Sequence, residues 1–422
     1  MVTRAIERVL DPDATPARVI VLEGARAVGK TWLAHRLVEN GRFQLYTSLA
    51  DQVTFQQASA DLPGWLRSLP PRTVIDEAQL LRDLPLCVKT LVDEPAAAGP
   101  RRQFLLTGSS SIGRTGLGGS DPLAGRAETW RLDPLTGLEL AGHPEGPAAL
   151  LAQLFGPRPT TQRQVAAPDG DIRETIMAGG FPDLALSPWA TARRDRWVRD
   201  AVLRTLSPDV LPGERFDRAQ AQRVIDACFR TPGAVLNVNS LAQRIGIVPR
   251  TVDRYLDVAQ QRFLLHFLPN LATGPARPTR ARSKVIPVDP AFAAESIRRA
   301  NPRAFDQPEI FGALVEAYVA AQVLAAAAVS EVDHPVTVYY WRDAKTKLEV
   351  DLVLTDGAGA MVGIEVKSST TLRPEYARSL RAFLAATQAH AGYVVYLGDD
   401  IVRLDDRVWG IPLQALGHPW AD

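Results

Sequence analysis

The sequence predicts an α/β protein in three parts: a doubly wound parallel sheet, a mainly helical segment, and a second, mixed α/β domain. Three observations carry this expectation. Short apolar runs at 19–22, 43–49, 74–75 and 104–106 alternate with helical stretches, as in a parallel sheet covered on both faces. Farther along, Arg-rich amphipathic stretches at 189–206 and 219–229 lead into a compact two-helix rhythm with a Gly turn. Beyond 300, an Ala-rich helical pattern at 311–328 precedes strand-like runs at 336–341, 349–354, 361–367 and 393–397. Breaker-rich passages at 140–170 and 269–278 place the boundaries, giving expected domains 1–160, 161–298 and 299–422.

The 422 residues, 46% hydrophobic and 23% charged, suit two or three domains with separate cores and exclude fibrous or wholly disordered material. The N-terminus lacks a charged-then-apolar leader, and no apolar run approaches the roughly 20 residues that span a bilayer, so no membrane association and a cytoplasmic address are expected. Cys87 and Cys228 are far apart and near no His cluster, which argues against a disulfide framework or a zinc site. A net charge of +1 hides local crowding of Arg at 193–204 and 277–284. Lysine is scarce: of the six, Lys30 and Lys367 fall at motif positions.

Gly24-Ala25-Arg26-Ala27-Val28-Gly29-Lys30-Thr31 fits G-x-x-x-x-G-K-[ST], after an apolar strand and before a helix. Small residues let backbone N–H groups wrap a phosphate, and the helix N-terminus adds its dipole. Lys30 is expected to neutralise the β- and γ-phosphates of ATP, and Thr31 to place its hydroxyl on Mg²⁺. A second apolar strand closes on Asp76-Glu77, with Asp76 expected on Mg²⁺ and Glu77 on the attacking water. An adjacent Glu of this kind suits hydrolysis better than phosphoryl transfer to a small molecule; a solvated strand end is the bland alternative.

A third strand runs into Thr107-Gly108-Ser109-Ser110 at the carboxyl edge, where such sheets bind ligands. Ser109 is a candidate γ-phosphate sensor or simply a turn residue. Arg126, in Leu123-Ala124-Gly125-Arg126, is a candidate finger reaching a neighbouring subunit's nucleotide, or an ordinary surface arginine.

These motifs, with Val74-Ile75-Asp76-Glu77-Ala78-Gln79, Gly179-Gly180-Phe181-Pro182, the stretch from Leu236-Asn237 to Tyr255, Glu349-Val350-Asp351 and Glu365-Val366-Lys367, make the chain resemble prokaryotic AAA-type (P-loop) ATPases with a C-terminal domain similar to PD-(D/E)XK nucleases. The likeness spans almost the whole chain. It implies a self-associating ATPase module, a winged-helix-like middle and a nuclease-like end of unassigned function. One departure is Pro287-Val288-Asp289, where the family often has a more basic lead-in.

On a strand, Glu365 and Lys367 share one face while Val366 points inward. Asp351, one strand back across the 357–359 turn, can approach Glu365. Such a cluster suits Mg²⁺, with Lys367 orienting water or stabilising charge. Glu316 resembles the accessory acid of this type of site, and Glu349 shares a strand face with Asp351. The alternative is an exposed hairpin of alternating charge.

The stretch 240–255 has helix-turn-helix rhythm, which would turn Arg250, Thr251 and Arg254 toward a DNA major groove; a packing module between domains is the alternative. The expectation overall is a self-associating, Mg²⁺-dependent ATPase that couples hydrolysis to DNA binding, remodelling or cleavage. The rival is a nucleotide-dependent switch whose nuclease-like domain is catalytically silent.

Overall fold

A computed structural model of the chain describes residues 2–94, 101–109, 122–159, 163–164, 171–206, 216–271, 282–330 and 335–418. Ser110 and most of the Arg-rich 277–284 stretch lie outside the described residues. The chain divides into two compact units, Thr3–Asp133 with Gln261–Phe263, and Pro134–Gln260 with Leu264–Asp422.

The first unit is built on β1 (Val19–Glu23), α1 (Lys30–Glu39), β2 (Leu45–Ser48), α2 (Gln52–Ala60), α3 (Leu62–Ser68), β3 (Arg72–Asp76), α4 (Leu84–Val92), β4 (Gln103–Gly108) and β5 (Ala127–Arg131). The strands form one sheet in the order β2-β3-β4-β1-β5, and every pair is parallel. Every residue of β1 and β4 is buried, as continuous apolar runs in a two-faced sheet require. One face packs Val19, Val21, Ile75, Phe104 and Leu106 against Leu84, Val88 and Leu91 of α4. Each such side chain contributes about 1.5–3 kcal/mol by leaving water. The parallel registers bring the carboxyl ends of β1, β3 and β4 to one edge of the sheet.

The second unit begins with α5 (Gly137–Leu140), α6 (Gly146–Phe155), the short β6 (Arg163–Gln164), α7 (Ile172–Ala178), α8 (Pro182–Ala185), α9 (Thr191–Thr205), α10 (Arg218–Phe229), α11 (Val238–Ile245) and α12 (Pro249–Gln261). A hairpin of β7 (Leu265–Leu268) and β8 (Lys284–Pro287) follows, then α13 (Pro290–Ala300) and α14 (Pro308–Ala328). The chain ends in β9 (Thr337–Arg342), β10 (Glu349–Thr355), β11 (Met361–Lys367), α15 (Arg378–Thr387), β12 (Ala391–Tyr396), β13 (Asp400–Asp405) and β14 (Val408–Pro412). These last strands and β6 make a mixed sheet in the order β6-β13-β14-β12-β11-β10-β9.

The boundaries expected near 160 and 298 do not coincide with this division. Leu150 and Leu154 of α6, Ile176 of α7, Ala293 and Ile297 of α13, Val319 of α14 and Ile364 of β11 all belong to one core cluster. The turn-rich reading of 140–170 also missed α6, whose Gly146 and Pro147 open a helix rather than break one.

The expectation that no apolar run approaches membrane length needs correcting as well. α14 has 21 residues and is apolar enough to cross a bilayer by length and composition. It lies instead in the core, with Leu314, Val315, Val319, Ala320 and Val323 buried.

Candidate nucleotide site and a lysine-filled carboxylate nest

The phosphate loop lies between β1 and α1. Ala27 and Gly29 take left-handed backbone angles, φ 63° and 104°, the kind of alternation that lets a loop of this type present its amides to an anion. At Gly24 any side chain would collide with the Leu132 carbonyl, 2.4 Å from where a Cβ would sit. Arg4, buried beneath the loop, donates to the Val28 carbonyl at 3.3 Å and the Asp133 carbonyl at 2.5 Å. Arg26 is exposed and Val28 buried, while Ala25 packs inward. Lys30, 6% exposed, folds back to donate to the carbonyls of Gly24 at 2.9 Å and Ala25 at 2.8 Å. Burial pulls its pKa down to about 8, against the pull of Glu77 and Asp76.

Neighbouring residues of a strand face opposite sides, so Asp76 and Glu77 would diverge if β3 ran on. It does not: Glu77 adopts a left-handed conformation, φ 55° and ψ 40°, and the chain turns into a short 3₁₀ helix, Ala78–Leu80. Both carboxylates consequently act on the Lys30 ammonium. A non-glycine residue held there costs of order 1–3 kcal/mol, a strain that clusters at functional sites. Asp76, 2% exposed, accepts from the Thr31 hydroxyl at 2.8 Å, from the Tyr46 hydroxyl at 2.9 Å and from Thr107. Burial, then Asp76, raises the Tyr46 phenol to about 12 and keeps it a donor.

The Gln79 amide donates to Glu77 and, at 3.4 Å, to the Ser109 hydroxyl. Ser109 thus stands beside the carboxylate pair. Arg126 sits just before β5, its Nε donating to both Asp93 oxygens at 2.7 and 2.9 Å in an exposed pair. Arg4 and Tyr46 are the residues that sequence reasoning missed here. Neither carries a motif; only the fold brings them to the loop.

In the second unit the structure brings together Glu316, Asp351, Glu365 and Lys367, with one addition. The Lys284 ammonium lies 2.8 Å from Glu316, 2.8 Å from Glu349 and 3.0 Å from Asp351. The Asp351 carboxylate also accepts the Val366 N–H at 2.9 Å, tying β10 to β11, and Lys367 pairs with Glu365 at 2.7 Å. Burial works against the charge on Lys284, yet Asp351, Glu316 and Glu349 hold its pKa well above the usual lysine range. Burial and the nearby Asp351 push Glu316 up to about 7 and Glu365 up to about 8.

The expectation of a divalent metal held by Glu316, Asp351 and Glu365 does not fit this arrangement. An ammonium already stands among the carboxylates, and among the described residues no group of three or more His, Cys, Asp or Glu side chains is disposed to hold a metal ion. Lys284 was one of only six lysines in the sequence, a signal of rarity that pointed to it without revealing its partners.

α11 and α12 flank a turn at Gly246, φ 76°, with Asn237 capping α11 through the Ser240 N–H at 2.9 Å. Arg250 is exposed, Thr251 half-buried, and Arg254 lies 5.3 Å over the Tyr255 ring. Asp253 and Asp257 are exposed on the same helix, so α12 presents mixed charge rather than a basic stripe. The arginines of α9 are similarly engaged, Arg194 with Glu174 and Arg199 with Glu295.

Residues 16–141 match the family described as AAA domain, residues 169–303 a domain of unknown function (DUF8612), and residues 311–416 another (DUF4143). No curated protein matches the chain. Similar solved structures include a RuvB mutant of Thermotoga maritima, at 20% identity and TM-score 0.30 over 66% of this chain and 88% of that one. The Aeropyrum pernix ORC1 protein in complex with DNA shares 13% identity, with TM-score 0.27 over 71% and 91%. McrB AAA+ hexamers with bound McrC from Thermococcus gammatolerans share 11%, with TM-score 0.23 over 68% and 74%. Superpositions this loose carry no functional argument. Residues 16–141, on their five-stranded parallel sheet with its phosphate loop, are similar to the AAA domain of P-loop ATPases.

Proposed function

We propose that this chain is a Mg²⁺-dependent ATPase, and the observation that carries the reading is the convergence of Lys30, Thr31, Asp76 and Glu77 at one sheet edge. Thr31 and Asp76 are hard oxygen donors within 2.8 Å of each other beside the phosphate loop, a set that fits Mg²⁺ and a triphosphate. The ion, when bound, screens phosphate charge. Lys30 exchanges two neutral carbonyl partners for anionic phosphate oxygens, and the added ion–ion attraction favours the trade. Glu77 orients water and takes its proton as the water oxygen joins the γ-phosphorus and ADP leaves. Gln79 relays the state of that carboxylate to Ser109.

Replacement of Glu77 by Gln tests hydrolysis directly: ATP binding should persist while turnover falls about a hundredfold. Turnover at the wild-type rate would remove Glu77 from the chemistry.

The same proposal extends to a cytoplasmic, self-associating protein, with Arg126 released from Asp93 to act on a neighbour's nucleotide, and with DNA met by Arg250, Thr251 and Arg254 of a winged-helix-like segment. Stimulation of ATP turnover by one class of nucleic acid would identify the partner; no stimulation by any would leave the nucleotide-switch reading. For the nuclease-like end, the Lys284 contacts favour the catalytically silent alternative.

A further inference from the structure

The carboxylate nest behaves as an ion site filled from within. Lys284 is 1% exposed and its ammonium lies within 3.0 Å of three carboxylates. Glu365, 8% exposed, gives one oxygen to Lys367, while its second oxygen, Oε2, is buried with no hydrogen-bond partner. A buried carboxyl oxygen left without a partner is costly, a cost that a proton or a positive ligand relieves. Counting Glu365, four carboxylates face the two ammonium groups of Lys284 and Lys367.

We infer that Lys284 is a tethered counter-ion that keeps this nest closed to divalent cations, and that the nest accepts one divalent cation when the Lys284 ammonium is removed. The donor set is oxygen throughout, the preference of Mg²⁺ and Mn²⁺. An ammonium and a divalent ion cannot share the seat, because two positive charges a few ångströms apart in a buried site repel strongly. Without Lys284, Glu316, Glu349 and Asp351 lose the cation they share, and one divalent ion would take its place among them.

The stopper comes from a different part of the unit than the seat. Glu349 and Asp351 lie on β10 and Glu365 on β11, whereas Lys284 opens β8, which pairs with β7 and bridges to Val235 near the start of α11. Occupancy of the seat is therefore tied to the position of the hairpin that follows α12. This inference is independent of the ATPase proposal.

Mn²⁺ binding to the nucleotide-free full chain, measured by electron paramagnetic resonance, tests it. Wild type should show no saturable site, Lys284→Met should gain one ion per chain, and adding Asp351→Asn to that variant should abolish the gain. A wild-type Mn²⁺ site that Asp351→Asn removes would overturn the inference, as would a folded Lys284→Met chain that binds none. If Lys284→Met folds poorly, its melting decides: recovery with MnCl₂ but not with NaCl of equal ionic strength supports the stopper, and indifference to Mn²⁺ rejects it.

Discussion

The two units each bury a lysine beside carboxylates, and the two lysines are held in opposite ways. Lys30 rests on the neutral carbonyls of Gly24 and Ala25, and burial lowers its pKa to about 8. Lys284 is gripped by Glu316, Glu349 and Asp351, and its pKa rises. An ammonium parked on neutral oxygens gains by moving to an anionic ligand. One already surrounded by carboxylates has nothing to gain by leaving. Identical side chains with similar burial thus hold their charge against neutral oxygens in one place and against carboxylates in the other; the proposed function makes the first of these the ligand-binding one.

The sharpest way to break this comparison is Lys30→Ala, which should lower ATP turnover by about a hundredfold to a thousandfold, as loss of one transition-state donor does. Circular dichroism should show an unchanged fold, and phosphate release measures the loss; wild-type turnover in the variant would mean that Lys30 is not the ligand-ready charge.

A third buried charge extends the contrast. Asp289, 1% exposed, accepts from the N–H of Gly180 at 2.6 Å and of Ala291 at 2.8 Å, capping α13, and burial raises its pKa to about 6. Asp289→Ala should cost about 3 kcal/mol, a helix cap plus a stranded buried donor. Urea unfolding reads it, and a change under 1 kcal/mol would show that both N–H groups find water instead. The motif Gly179-Gly180-Phe181-Pro182 is explained by this contact, since a Cβ on Gly179 would sit 2.3 Å from Asp289.

The pH response sharpens the comparison further. Lys30 is charged below about 8 and neutral above it, so ATP affinity should hold at neutral pH and weaken by up to about tenfold per pH unit above that value. Fluorescence titration with a nucleotide analogue measures it, and a flat profile through this range would place the charge elsewhere. The smallest effect is expected at Tyr46→Phe. It removes one hydrogen bond to Asp76, about 1 kcal/mol, and should alter the Mg²⁺ concentration for half-maximal turnover about fivefold.

The candidate nucleotide site could be put forward from sequence because its residues are close together: the loop 24–31 and the Asp76-Glu77 pair carry their own signals. Tyr46 and Arg4 were not, since nothing local marks a hydroxyl on a neighbouring strand or an arginine under a loop. The strands of the last sheet were read nearly in place at β9–β12, while β13, β14 and the β7–β8 hairpin went unseen. Lys284 lies 67 residues from Asp351 and meets it only through tertiary pairing, so the nest looked like a metal site without its stopper.

α14 has a consequence for how this protein is made. The segment leaves the ribosome before β9 and β11 exist, so for that interval the part of this apolar 21-residue helix that joins their core has only the earlier elements to cover it. Substitutions that delay those later strands should reduce the yield of folded protein through aggregation before they lower the stability of the finished molecule.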